Sequence, residues 1–201
     1  MDAALMETCS DRALAPAIVE QFITAAGSND PLAVTVIAAG RLVLIPKRKS
    51  ADEALATVKG YAGRAVVRVG LTQFPAGSGV SAVTNLPADI FDPCENLRTG
   101  TALFAKVARI VTKWYGRPTN HELLPQMMDD ALYAWRTGSF EGMNVFRAED
   151  PGGPTFFTGE EAPPQALPAA DSIPAKQQQS TEDASEAGMR VDLSRIQGVG
   201  R

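Results

Sequence analysis

Few side chains in this 201-residue chain are equipped for acid–base or nucleophilic work, and they are scattered. The lone histidine, His121, lies in a Pro/Asn stretch with no Cys or Asp at ligand spacing. It reads as a surface residue, and no metal site or cofactor is expected. Ser78, in Gly77-Ser78-Gly79-Val80, lacks the flanks of a hydrolase elbow. No lysine follows at the spacing of a phosphate-binding loop. Two runs are denser in chemistry: Gly70-Leu71-Thr72-Gln73-Phe74-Pro75 and Asp92-Pro93-Cys94-Glu95-Asn96-Leu97. Gln73 can line a cleft or simply bond a neighbouring backbone group. Asn96, near a helix start, suits a capping role. Tyr133 and Trp135 offer aromatic faces for sugar stacking or for a core. Among the carboxylates, Glu53 stands three residues after Ser50 as a capping box, and Glu95 reads as a first-turn residue. Cys9 and Cys94 are an even count, which permits one disulfide without requiring it.

The elements that must position these residues are mostly helical. Ala3 begins a short helix. Ala15 to Ala26 places Ile18, Phe22 and Ala25 on one face, with Pro16 in the first turn and Gly27 as a stop. Val34 to Ile45 splits at Ala39-Gly40 into two alternating runs, which predicts a β-hairpin. Ser50 caps a helix to about Lys59. Residues 65–74 read as β-like or irregular. Cys94 to Tyr115 carries an apolar stripe through Leu97, Phe104, Ala108 and Val111 and ends at Gly116. A last helix runs from Pro125 to about Trp135. From Pro151 the composition changes: residues 151–188 hold six prolines, a Gln run and few large apolar groups. Such a stretch cannot bury enough surface to offset its chain entropy and is expected to be disordered. Residues 189–201 return to apolar spacing, as a plain tail or a short docking motif.

The order of these features resembles the lysozyme-like lytic transglycosylases of bacterial type IV secretion systems. Those enzymes carry a Gly-Leu-x-Gln turn and, about twenty residues on, an Asp-Pro-Cys-x-Asn-Leu helix start. The resemblance spans about residues 5–142. It implies a mainly α (α+β) lysozyme-like domain over residues 1–150 with a small β-hairpin. It also implies a cleft lined by Gln73 and by Tyr133 and Trp135, and a pairing of Cys9 with Cys94. Matching Asp30-Pro31-Leu32-Ala33 to the family's Asn-Pro-Leu-Ala puts Ala26 under the catalytic glutamate and Gly27 under the serine that follows it. Arg136 then replaces a second cleft tyrosine.

Alanine at that position decides the chemistry. A single carboxyl, held protonated by an apolar pocket, must give its proton to the leaving oxygen. In the family the same group then takes back the proton of the sugar's C6 hydroxyl. A methyl group can do neither, so no catalytic residue is expected. The expectation is a protein of the transfer apparatus that binds peptidoglycan strands or a partner without cleaving. The alternative is an active transglycosylase with a relocated acid, Asp30 or Glu20.

Composition narrows the setting. The net charge is −4 and the pI about 5.1, and the Lys47-Arg48-Lys49 run reads as a solvated loop, so no nucleic-acid partner is expected. No run of about 18 apolar residues marks a transmembrane helix. The start, MDAALMETCSDR, shows no ordinary secretory signal. Work at the cell wall then implies another export route to the periplasm; otherwise the chain stays cytoplasmic. The whole chain, including the acidic Pro-rich tail and the MRVDLSRI element, also resembles the TraH conjugal-transfer proteins of conjugative plasmids. That resemblance implies a role in plasmid conjugation, with type IV secretion components as partners.

Overall fold

The computed structural model of the protein describes residues 2–76, Leu86 and residues 88–158. Among these, the elements run α1 (Ala3–Cys9), α2 (Pro16–Ala26), β1 (Val34–Ala38), β2 (Arg41–Val43), α3 (Ala51–Tyr61), β3 (Val66–Val69), β4 (Phe74–Ala76), α4 (Pro93–Trp114), α5 (Leu124–Thr137), β5 (Ser139–Phe140) and β6 (Met143–Asn144). Each boundary has a local cause. Ala39 and Gly40 both take positive φ, 49° and 75°, so a two-residue turn joins β1 to β2 with the twist a hairpin needs. Ser50 accepts from the Glu53 amide, and the Glu53 carboxylate accepts from the Lys49 amide, which fixes the start of α3. Asp92, rather than Asn96, caps α4: its carboxylate accepts from the Cys94 and Glu95 amides. Gly138, left-handed at φ 75°, closes α5.

The architecture is mixed helix and antiparallel sheet. The expected hairpin is half of a four-stranded sheet ordered β2-β1-β3-β4, and residues 66–69 are strand. Val36 lies opposite Val43 on one side and Val67 on the other. Residues 65–74, β-like or irregular in the sequence, contain strand β3, buried from Val67 to Val69 with Val66 exposed, and the turn that follows it. A second short hairpin, β5–β6, was not legible in the sequence.

The helices meet at an aromatic knot. Phe22 of α2 stacks on Phe104 of α4 at 4.0 Å, and the Trp135 ring of α5 stands edge-on to both. All three side chains are fully buried. Cys9 and Cys94 are joined, with Cα atoms 5.1 Å apart, so the end of α1 is tied to the start of α4. The folded body does not stop at residue 150. Phe157 is buried, its carbonyl accepts from the Ala15 amide, and the Thr155 hydroxyl donates to the Ala13 carbonyl. The proline at 151 suggested a boundary there, but the apolar pair Phe156-Phe157 carries the chain back onto the core. The Gly77–Gly79 loop with Ser78, and the tail from residue 159 including the 189–201 motif, lie outside the described residues. No described helix is long and apolar enough to cross a membrane.

Candidate functional site

The two motifs of the sequence meet in space. Gly70-Leu71-Thr72-Gln73 forms the turn between β3 and β4, and the first turns of α4 hold it from behind. Asn96 does the holding. Its Oδ1 accepts from the Thr72 amide (2.8 Å) and hydroxyl (2.9 Å), and its Nδ2 donates to the carbonyls of Val69 (3.3 Å) and Ile90 (3.0 Å). Two glycines make room. A β-carbon on Gly70, which has φ 70°, would collide with the Asn96 amide, and one on Gly100 would collide with the Thr72 side chain.

Every carbonyl from Val69 to Gln73 has a donor. Val69 takes Asn96 Nδ2, Gly70 takes the amide and side chain of Gln73, and Leu71 takes the Ser28 amide. Thr72 takes the Trp135 indole N–H at 3.2 Å, and Gln73 takes Arg68 at 3.2 Å. The turn is thus a junction of α2, α4, α5 and the sheet. This placement decides how Gln73 behaves. It sits at φ 52°, is 7% exposed, and donates its amide to Gly70 within its own turn at 3.0 Å. Trp135, open to two readings in the sequence, packs as core: its ring is fully buried and shows no face for a sugar to stack on. Tyr133, two residues earlier on α5, points the other way and is 62% exposed.

Arg68 is the residue that sequence reasoning missed. It sits in a Val-Val-Arg-Val strand, and that lone cation at a half-apolar position was the available signal. It is buried, and its Nη2 donates to the carbonyls of Trp135 (2.6 Å) and Arg136 (2.8 Å) at the end of α5. No carboxylate pairs with it among the described residues; the negative end of the helix dipole faces it instead. Burial pushes its pKa down to about 10, so it stays charged at neutral pH.

Ala26 ends α2 beside this junction and is half-buried. Gly27 follows, with no room for a β-carbon between the carbonyls of Leu71 and Ile23. The Arg136 guanidinium donates to the Ala25 carbonyl, capping the helix end. Among the described residues, the carboxylates weighed in the sequence serve local structure or lie in solvent. Asp30 accepts from the Leu32 amide within its own turn (3.0 Å) and pairs with Lys47 at 3.4 Å. Glu20 is exposed on α2, and Glu53 and Glu95 serve helix starts. His121 is exposed, its ring 5.5 Å from that of Phe156. No cluster of potential metal ligands occurs among the described residues.

What remains open to a partner here is the outer face of α5. Tyr133 and Arg136 are exposed one helical turn apart, with Arg136 reaching the end of α2.

The TraH_2 family matches residues 1–199. The uncharacterized protein y4dP of Sinorhizobium fredii (strain NBRC 101917 / NGR234) is 52% identical over 203 residues, covering 99% of this chain and all of that protein. No solved structure matches. Matched over nearly its whole length, the chain belongs to the TraH_2 family.

Proposed function

We propose that this protein is an accessory of plasmid conjugal transfer, a lysozyme-like body that binds glycan strands or a component of the transfer apparatus without cleaving them. Membership of the TraH_2 family supports the link to conjugation. The observation that carries the non-catalytic part is the end of α2. Ala26 brings no titratable group, and Gly27 is wedged against the Leu71 carbonyl. A working acid at that point would need apolar surroundings to keep its proton near neutrality. The Arg136 guanidinium, bonded to the carbonyl of the preceding residue, would instead favour the charged form of a carboxylate placed there. Recognition then falls to Tyr133 and Arg136, with Gln73 and Trp135 supporting the surface from beneath. Of the 151–188 linker, the part beyond the folded body acts as a tether, and residues 189–201 as a docking segment.

Purified peptidoglycan tests this reading. The native chain is expected to sediment with the polymer or, if its ligand is a transfer component, to leave it untouched; in neither case are anhydro sugars released. Ala26→Glu combined with Arg136→Tyr is expected to release more product than Ala26→Glu alone, because removing the cation lets the new carboxyl hold its proton. Release by the native chain that Asp30→Asn or Glu20→Gln abolishes would make the protein an enzyme and end the proposal.

A further inference from the structure

The Lys47-Arg48-Lys49 run has a use that the glycan or partner reading does not absorb. Residues 41–68 carry seven basic and two acidic side chains, in a chain whose net charge is −4. Part of that excess gathers at an open groove of about 630 Å³ between the segment after β2 and the C-terminal half of α3. Leu44, Pro46, Arg48, Tyr61 and Arg64 line it. Lys47 has a counter-ion in Asp30; Arg48, Lys49 and Arg64 pair with no acid among the described residues. Arg48 also keeps its Nε buried with no acceptor, a donor left unused inside the groove wall. Apolar residues stand out into water beside it: Leu44, in the groove lining, is 90% exposed, and Leu42, two residues earlier on edge strand β2, is 65% exposed.

We propose that this groove and its rim dock on the surface of an anionic lipid bilayer, with Arg48, Lys49 and Arg64 meeting headgroup phosphates and Leu44 and Leu42 entering the interface. The cations without an acidic partner call for an anionic oxygen ligand. Nucleic acid or an acidic peptide would satisfy that demand too, but neither gains from two leucines projecting beside the cations. A bilayer does, because it offers phosphate and hydrocarbon within a few ångströms of each other. The site lies on the sheet and α3, apart from the α2–α5 surface, so the two readings stand or fall separately.

Co-sedimentation of the full chain with vesicles tests it. Phosphatidylglycerol vesicles are expected to bind the protein at low salt and release it at high salt, while phosphatidylcholine vesicles bind it weakly. Arg48→Glu is expected to weaken binding by roughly fivefold or more, on the scale of a single basic residue at a charged membrane. Leu44→Asp and Lys49→Glu, both at exposed positions, are expected to weaken it comparably with unchanged circular dichroism, so a misfolded Arg48 variant would not obscure the outcome. Equal binding to both lipids, no binding at all, or indifference to all three substitutions would overturn the proposal. So would a soluble oligonucleotide that displaces the protein from vesicles and binds the Leu44→Asp variant as well as the native chain, since that would mark a general polyanion groove.

Discussion

Asn96 has an acceptor and two donors to offer, and the junction uses them all. Asn96→Ala takes the acceptor from the Thr72 amide and a donor from the Val69 and Ile90 carbonyls in a buried place. A cost of about 2–4 kcal/mol follows, from one or two unsatisfied buried groups plus a small cavity, and urea unfolding measures it. Gly100→Ala drives a methyl into Thr72 and is expected to cost about 1–3 kcal/mol, although alanine is otherwise the better helix residue. A neutral or stabilising result would mean the turn sits further from α4 than described. Arg68→Lys keeps the charge but loses the fork that spans three carbonyls, and a loss of about 1–3 kcal/mol is expected in the same measurement. The sequence singled out Gly70 to Gln73 and Asp92 to Leu97, but it left Gln73 open between a cleft and a backbone partner and read Asn96 as a cap. Asn96 looked like a cap because caps need only local spacing, whereas its partners at Val69 and Thr72 lie 27 and 24 residues away. Gln73 stayed open between the two because its left-handed backbone, which folds the side chain onto Gly70, leaves no mark in residue type.

At the scale of elements, long-range ties hold the body together. The Cys9–Cys94 bridge closes a separation of 85 residues, and a loop of that size is worth roughly 2–5 kcal/mol when cross-linked. Reduction is therefore expected to lower the melting temperature, and Cys9→Ser to match the reduced native chain; equal melting with and without reductant would deny the bridge a structural role. Arg109 of α4 grips Asp150 beyond β6, with Nε at 2.7 Å from the carboxylate. That hydrogen bond holds the Asp150 carboxyl below its usual range. A lowered carboxyl adds stability above its unfolded pKa of about 4, and that stability is lost as pH falls through the lower folded value. Native and Asp150→Asn chains should thus differ most near neutrality and converge in acid, as thermal melts across pH 2–7 would show. Helix existence and caps were readable from Ser50, Pro16, Gly116 and the α4 stripe. The four-stranded sheet was not, since pairing β1 with β3 depends on contacts across α3 that no short pattern encodes.

For the molecule as a whole, the sequence fell short at the end of the body and at the distribution of charge. Proline content suggested an end at residue 150, yet Phe157 is buried among core residues. Phe157→Ala is expected to cost about 3–5 kcal/mol, as for a large core aromatic, in urea unfolding of the full chain. A cost near zero would restore the earlier boundary. The acidic balance of the whole chain likewise concealed a basic sector, because a net charge reports nothing about where charges gather in space.

The sulfur bridge ties the N-terminal latch to the redox state of the surroundings. A reducing compartment would leave the N-terminal helix unlatched from the long central one, and an oxidising compartment would fasten it. The ambient redox poise thus decides whether the first helix is fastened to the long central one.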